Sequence, residues 1–203
     1  MEKSDLRIHQ KGNQMIQIDR NRKIHRRQID ICTYEYEKDA VVVEGRLTDN
    51  RLLKTYFFST EEFRPPGIVH DLVIRMVVKG ATLVIDDIDV EMDTIPREDC
   101  RQLLKALRPV IGMKIQAGFT EKVKEKVGGV KGCTHLVALL LAMAPAAVQG
   151  AWSAVARHPV DPAKYSGVAL KFLENTCWVW RADGELMKDT REKLAGMGKG
   201  QSA

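Results

Sequence analysis

A cysteine and a histidine lie two positions apart in the run Gly132-Cys133-Thr134-His135-Leu136, directly before a long apolar stretch. Thiolate and neutral imidazole are the side chains that bind zinc and iron–sulfur centres. The glycine-rich connection before this run predicts that an apolar helix begins at Cys133. A helix N-terminus carries partial positive charge and free N–H groups, which favour the thiolate form of a cysteine placed there. The run therefore predicts a metal site or a reactive thiol, and it indicates no particular reaction.

His70 and Cys100 are the other two residues that we predict as metal ligands. The residues around His70 alternate between apolar and polar, which is typical of a strand, and His70 belongs to the apolar, inward-facing series. A hairpin turn centred on Gly80 would place His70 opposite Val90. Pro96 then suits the start of a helix that carries Cys100 in its first turn, beside the same end of the hairpin. A buried imidazole needs a hydrogen-bond or metal partner, so we predict that His70 and Cys100 approach each other.

Asp86 also faces inward by the same alternation, but it is predicted to pair near Ile74. That position is about 13 Å from His70 along the strands, which is too far to share one metal ion. We therefore exclude Asp86 from the predicted site. Cys32 lies in a predicted strand and Cys177 lies beside two tryptophans, and both are predicted to be packed as small apolar residues.

The elements that must position these residues indicate an α+β fold. Strand patterns are followed along the chain by helix patterns, in the ranges 28–36, 40–47, 68–78 and 82–92 for strands, and 96–107, 120–127 and 133 onwards for helices. This order indicates an antiparallel sheet with helices packed on one face. We predict a flexible basic arm over residues 1–22, a single α+β domain over residues 23–187 and a frayed tail over residues 188–203.

The composition predicts a folded protein in a reducing compartment. Hydrophobic residues make up 44% of the chain, which is sufficient for a substantial core. Four cysteines lie far apart, and no apolar targeting segment is seen near residue 1, so we expect reduced thiols in the cytoplasm. The most apolar stretch, residues 136–148, contains Pro145 and is shorter than the roughly 20 residues of a membrane span. We therefore expect no membrane contact.

Three short motifs follow one another along the chain: His70-Asp71, then Pro96 with Cys100 four positions later, then the run that ends at Leu136. In this order they resemble a bacterial family of uncharacterised proteins, known only as a domain of unknown function, which carries His-Asp, Pro-x-x-x-Cys and Gly-Cys-Thr-His-Leu. The resemblance covers most of the chain and implies no activity.

Residues 70–140 are also similar in layout to the iron–sulfur cluster scaffold proteins of the NifU/IscU type. Those scaffolds have a ligand and an aspartate opening a strand, a hairpin, a cysteine at the following helix and a His-Cys pair on a later helix. The resemblance implies a scaffold-like fold whose ligand positions fall at His70, Cys100 and Cys133, with Asp71 beside the first and the histidine at His135. In this chain a histidine replaces the first cysteine, and the chaperone-binding Leu-Pro-Pro-Val-Lys segment of the scaffolds is absent.

The leading hypothesis is a metal-binding protein that holds zinc or an iron–sulfur cluster. Cys100 and Cys133 would bind as thiolates and His70 as an imidazole, while His135 or Asp71 would complete or orient the site. A closed set of four ligands would be structural or competent to transfer the metal, whereas three ligands with an open position would suit catalysis. The partner would then be another protein that donates or accepts sulfur or metal.

Three alternatives remain open. Cys133 can act without metal as a nucleophile or sulfur acceptor, with His135 or His70 as its base. The basic N-terminal segment can bind nucleic acid, although a solvated arm is the commoner meaning of such a run and no RNA-binding signature is present. The chain can also be a small accessory subunit whose cysteines are only packed, in which case Trp178 and Trp180 would form part of a partner-facing surface.

Overall fold

A computed structural model describes residues 16–37, 39–80, 82–157, 170 and 173–199. Its main feature is a four-stranded antiparallel sheet with the strand order β1-β2-β5-β6, in which β1 is His25–Glu35, β2 is Ala40–Arg51, β5 is Gly67–Lys79 and β6 is Val84–Thr94. A short hairpin of β3 (Thr55–Phe57) and β4 (Glu62–Arg64) forms a second sheet between β2 and β5 in the chain.

In the described part of the chain the strands are followed by the α-helices α1 (Phe119–Val127), α2 (Thr134–Val155) and α3 (Glu185–Lys199). Short 3-10 helices span Arg20–Arg22, Glu98–Leu103, Arg108–Val110 and Gly129–Lys131. The predicted α+β class is confirmed. Cys100 lies in a 3-10 turn and not in the predicted α-helix over residues 96–107. Residues 188–199, predicted as a frayed tail, continue α3. Of the predicted arm, residues 1–15 lie outside the described part of the chain and residues 16–22 are exposed.

The core lies between one face of the sheet, here called the inner face, and α2. On β2, Val41, Val43, Gly45 and Leu47 are buried while the alternate residues are more exposed, as expected for a strand with one covered face. The residues of α2 that cover this face recur at helical spacing: Leu136, Leu139, Leu140, Met143, Ala144, Ala147 and Ala151. Leucines and alanines at this spacing therefore fix which side of α2 contacts the sheet.

Two glycines allow α2 to approach the sheet closely, and they also show its direction. A Cβ atom on Gly45 of β2 would lie 2.7 Å from the sulfur of Met143, and one on Gly150 of α2 would lie 2.2 Å from Cγ2 of Thr33 in β1. Only glycine leaves room at either position. Because β1 and β2 are antiparallel and Thr33 pairs with Val43, these contacts place α2 antiparallel to β2. The N-terminus of α2 therefore lies at the end of the sheet where β2 ends.

Pro145 lies inside α2, which continues to Val155. The proline removes one backbone hydrogen bond from the helix but does not end it. By length and composition, α2 would also be able to span a membrane. This is weak evidence, because the apolar core helix of a soluble protein satisfies the same criterion.

The opposite, outer face of the sheet carries ion pairs between neighbouring strands. Arg75 on β5 contacts Glu44 at 2.6 Å and Glu91 at 2.8 Å. Arg46 on β2 binds Asp71 through two hydrogen bonds of 2.7 and 2.5 Å, and its Nη2 also lies 3.1 Å from a carboxylate oxygen of Asp93. Charged residues are common on a solvated sheet face. Here they occupy the outward-facing positions that alternate with the buried apolar residues along the strands.

The pairing of β5 with β6 differs from the predicted register. Val90 pairs with Ile74 and not with His70. The turn follows Lys79, and a register shift between Val77 and Val78 adds one residue to β6. That extra residue is Asp86, which is exposed and forms a 2.6 Å ion pair with Lys79. The prediction that Asp86 faces inward is therefore wrong.

Candidate metal centre

Asp49, His70 and His135 meet at the end of the inner face. They come from β2, β5 and the first turn of α2, and one donor atom of each lies within 4.8 Å of the donors of the other two. Asp49 is 4% exposed, and the histidine side chains are 16% and 22% exposed. Three potential metal ligands from distant parts of the chain are therefore held close together and largely out of water.

Strand register and helix direction explain how the three residues meet. Asp49 pairs directly with His70, so both side chains lie on the inner face at neighbouring positions. The ladder shifts register just beyond this pair, between Asp49 and Asn50, which leaves Val69 as an extra residue on β5. Such bulges are common next to functional sites because they change the direction of the following side chains. His135 arrives from above because α2 begins at this end of the sheet.

The carboxylate of Asp49 is held by Arg27 of β1. Arg27 Nε donates to Oδ1 and Nη2 donates to Oδ2, both at 2.7 Å, and Nε2 of His25 lies 3.2 Å from Oδ1. The hydrogen bonds from Arg27, together with its charge, lower the pKa of Asp49 below its usual value, against the opposing effect of burial. Asp49 is therefore ionised at neutral pH. An ionised carboxylate has about four lone-pair sites, so two remain after Arg27 has bound.

The two imidazole rings of His70 and His135 stack with their centroids 3.8 Å apart and their planes inclined by 30°. Nδ1 of His70 lies 3.3 Å from Oδ2 of Asp49, and Nε2 of His135 lies 3.5 Å from the same oxygen. Burial lowers the pKa of both histidines, and the neighbouring His70 lowers that of His135 further. Both rings are consequently neutral near pH 7, the form that binds metal ions.

Nδ1 of His70 is fully buried and has no hydrogen-bond partner among the described residues. Its 3.3 Å approach to Oδ2 of Asp49 is too poorly aligned for a full hydrogen bond, although the contact still raises the pKa of His70 against the larger, opposing effect of burial. A buried polar atom without a partner costs free energy, and native proteins rarely leave one unexplained. The nitrogen therefore lies beside the other two donors without a well-aligned hydrogen bond.

Cys133 contacts the far side of the His135 ring. It is the residue that precedes α2, it is half-buried, and its Sγ lies 3.7 Å from Nδ1 of His135. Nε2 of the same ring is the atom directed towards Asp49. Where the sulfur accepts a hydrogen bond from Nδ1–H, as a thiolate does, the proton stays on that nitrogen and the lone pair on Nε2 is free. Cys133 therefore lies at this centre, in contact with the ring nitrogen of His135 that is not the one directed towards Asp49.

Of the four predicted ligands, His70 and His135 come together, and Cys133 lies beside His135. Cys100 is half-buried in the Glu98–Leu103 turn. Within the described part of the chain, no cluster of three or more potential ligands includes Cys100 or Cys133. Asp71 lies on the outer face, where both of its oxygens are bound by Arg46. Cys32 and Cys177 are both exposed, so their predicted burial is wrong.

Asp49 was not among the predicted site residues, although the sequence contains a signal for it. In β2 the inward series Val41, Val43, Gly45 and Leu47 continues by alternation to Asp49. A carboxylate at an inward position needs a partner, and this requirement would have marked the residue. Its partner Arg27 lies in β1, beyond the predicted arm of residues 1–22, and was not predicted to contact the site.

A cavity of about 220 Å³ opens at this centre, lined by His25, Arg27, Asp49, Arg51, Val69, His70 and His135. An adjoining cavity of about 140 Å³ shares Arg51 and Val69 with it and is lined in addition by residues of β4, β5 and the segment after β6. The site is therefore accessible to a small molecule.

A family model with the description "Protein of unknown function (DUF2889)" matches residues 25–149. The matched region begins at β1, ends within α2 and contains every residue of the candidate centre. Comparison with curated proteins and with solved structures gave no significant match.

Proposed function

The chain belongs to this DUF2889 family of unknown function, and we propose that it is a metal-binding protein whose ion is held by Asp49, His70 and His135. Two neutral imidazoles and one carboxylate are a donor set typical of zinc and of non-haem ferrous iron. Three protein ligands leave at least one coordination position open, which suits catalysis or metal transfer better than a purely structural role.

The observation that carries this proposal is the buried, unpartnered Nδ1 of His70 facing the Asp49 carboxylate. In a structural cluster, a rotation of the ring or a bridging residue would satisfy that nitrogen. A metal ion held by the three donors would satisfy it directly, since the nitrogens of His70 and His135 lie 3.3 and 3.5 Å from the Asp49 carboxylate without a well-aligned hydrogen bond to it. The metal ion therefore explains the unpartnered nitrogen and the convergence of the donors together.

Cys133 fits this proposal as a positioning residue. Ligating histidines usually have the second ring nitrogen hydrogen-bonded to a neighbouring group, which fixes the tautomer and the orientation of the ring. The Sγ of Cys133 is suitably placed for this at 3.7 Å from Nδ1 of His135. Cys133 was predicted as a ligand because it lies at a helix N-terminus, and in this proposal it affects the metal only through His135.

The donor set favours a mononuclear ion over an iron–sulfur cluster. Clusters are held mainly by cysteine thiolates, and the three converging donors here are two nitrogens and one oxygen. A relation in fold to the NifU/IscU-type scaffolds is part of our proposal, supported by the antiparallel sheet with α2 on one face and by a cysteine at a helix N-terminus. Cluster assembly would further require Cys100 and Cys133 to join the donors.

A second candidate function is metal-free thiol chemistry at Cys133, and the 3.7 Å contact with His135 favours it. In this case His135 would accept the thiol proton, and the thiolate would be the nucleophile or sulfur acceptor. This function depends on Cys133 and is independent of Asp49, whereas the metal site depends on Asp49 and needs Cys133 only for support.

Metal analysis of the protein and of a His135→Gln variant tests the proposal. We expect about one equivalent of zinc or iron per chain in the wild type purified without oxygen, and a loss of most of it in the variant. The ultraviolet–visible spectrum of the same sample identifies thiolate-to-iron charge transfer if a cluster is present. If neither purified protein contains metal and zinc titration shows no saturable binding, the proposal is wrong. The alkylation rate of Cys133, with and without His135, then tests the thiol function.

A further inference from the structure

Two arginines lie against one aromatic ring beside the candidate centre. The guanidinium carbons of Arg51, at the end of β2, and Arg64, at the end of β4, lie 4.5 and 4.3 Å from the centroid of the Phe57 ring. Neither side chain forms an ion pair with a carboxylate of the described residues. Like charges repel, so holding two guanidinium groups on one ring without an acidic partner leaves a concentrated positive charge.

These two arginines line the smaller of the two cavities. Its other walls are mostly apolar and come from Phe57, Pro65, Ile68, Val69, Ile95 and Pro96. Arg51 and Val69 also line the cavity at the metal centre, so the two cavities lie side by side with Arg51 at their boundary. A molecule bound against the arginines would therefore lie next to the metal centre.

The charges around this pair of cavities identify the kind of molecule. Among the described residues, Asp49 is the only carboxylate that lines either of them, and its negative charge is matched by Arg27. Arg51 and Arg64 therefore add positive charge that the protein does not neutralise locally. Guanidinium groups bind carboxylate and phosphate oxygens through paired hydrogen bonds, and they do so best beside low-dielectric walls.

We propose that this site binds a small organic anion whose carboxylate or phosphate group is held by Arg51 and Arg64. The short apolar body of the anion lies against Phe57, Ile68 and Val69, and its far end is directed towards His70 and His135. The inference deepens the proposed function and rests on it for what happens at the metal end. The anion-binding part depends only on the arginines and the apolar walls, and it is testable in the metal-free protein.

Calorimetric titration of metal-free protein with three probes tests this inference: benzoate, phenyl phosphate and the neutral benzamide. The wild type is compared with Arg51→Gln, Arg64→Gln and the control Arg26→Gln. Arg26 is an exposed β1 residue that pairs with Asn50 on the outer face, so the control removes the same charge away from the cavities. A separate zinc titration of each protein reports on the metal site independently.

We expect benzoate or phenyl phosphate to bind to the wild type, about tenfold or more weakly to Arg51→Gln and Arg64→Gln, and unchanged to Arg26→Gln. Which of the two anions binds more tightly distinguishes a carboxylate ligand from a phosphate ester. Benzamide should bind at least tenfold more weakly than benzoate.

The inference is overturned if no anion binds, if benzamide binds equally well, or if the control weakens binding as much as the cavity variants do. A purely structural arginine stack would lower the melting temperature of both variants and leave the affinity unchanged. Loss of zinc binding with intact anion binding would refute the proposed function alone.

Discussion

Replacing Asp49 with asparagine separates its roles in stability and in metal binding. The carboxylate accepts two hydrogen bonds of 2.7 Å from Arg27. A hydrogen bond to a charged group contributes about 1.5–3 kcal/mol in a buried setting. Because the Arg27 side chain is 41% exposed, solvent screening reduces the expected loss for the pair to roughly 1–3 kcal/mol. For a chain of this length we expect the melting temperature to fall by about 2–4 °C per kcal/mol.

The same substitution should weaken zinc binding by a much larger factor. An asparagine side chain has a neutral oxygen where Asp49 has a charged one, while the positive charge of Arg27 remains beside the site. Residues that only support a ligand typically change metal affinity by about 10–100-fold, so loss of a direct carboxylate ligand should cost about 100-fold or more. This corresponds to about 2.8 kcal/mol or more of binding free energy. Competition with a chromophoric zinc chelator measures the affinity, and thermal unfolding measures the stability.

Asp71→Asn is the matched control, because Asp71 also accepts two short hydrogen bonds from one arginine, Arg46, at a neighbouring position in the sheet. It should lower the melting temperature and leave the zinc affinity within about threefold of the wild type, since it lies on the outer face. If Asp49→Asn keeps wild-type zinc affinity while its melting temperature falls, our assignment of the ligand is refuted. If both variants lose zinc equally, the effect reflects general destabilisation of the sheet.

Three further predictions follow from the same geometry. Gly150→Ala should destabilise the protein by about 1–3 kcal/mol in denaturant unfolding, because the added Cβ would overlap Thr33. Gly196→Ala in α3, where nothing lies within 4 Å of the added Cβ, should be neutral or slightly stabilising. Equal effects of the two substitutions would contradict the close packing of α2. Cys100→Ser should leave the metal content unchanged in elemental analysis, because Cys100 is outside the donor cluster, and loss of metal would instead favour the cluster hypothesis. The stability of the metal-free protein should be constant at pH values above about 6.5 and should fall as the pH drops below that value. Burial lowers the pKa of both site histidines below the ordinary value of 6.5, so the unfolded chain takes up protons first as the pH falls. Urea unfolding between about pH 7.5 and 5 measures this dependence, and a flat profile would show that the rings are not buried as neutral groups.

Local signals in the sequence were sufficient for most of the secondary structure. The helix predicted over residues 120–127 is Phe119–Val127, and the helix predicted to begin at Cys133 begins one residue later. Both boundaries follow from glycines that flank apolar segments of helical period. The strand pattern around His70 was similarly clear, because four buried residues of β5 recur at every second position: Leu72, Ile74, Met76 and Val78.

Register and tertiary contacts were the parts that the sequence did not reveal. A single extra residue in β6, Asp86, changes every pairing beyond it, and no local pattern distinguishes a bulged strand from a regular one. The approach of His135 to Asp49 depends on where α2 contacts the sheet, which is determined by Gly45 and Gly150 together. These two glycines are far apart in sequence, and their common purpose is evident only after the sheet has formed.

The two aspartate–arginine pairs at neighbouring positions show why residue type alone could not identify the site. Asp71 and Asp49 are both nearly buried, and each is bound twice by one arginine, so their local chemistry is almost the same. On the outer face, the Arg46 that binds Asp71 also contacts a second acid, and no buried side-chain nitrogen or oxygen of the described residues lacks a partner there. On the inner face, Asp49 lies beneath the first turn of α2, beside two neutral imidazoles, one of which keeps a buried nitrogen unpartnered. Such an unsatisfied group is costly and persists only where the surrounding structure enforces it, so this side of the sheet is where a ligand would be bound.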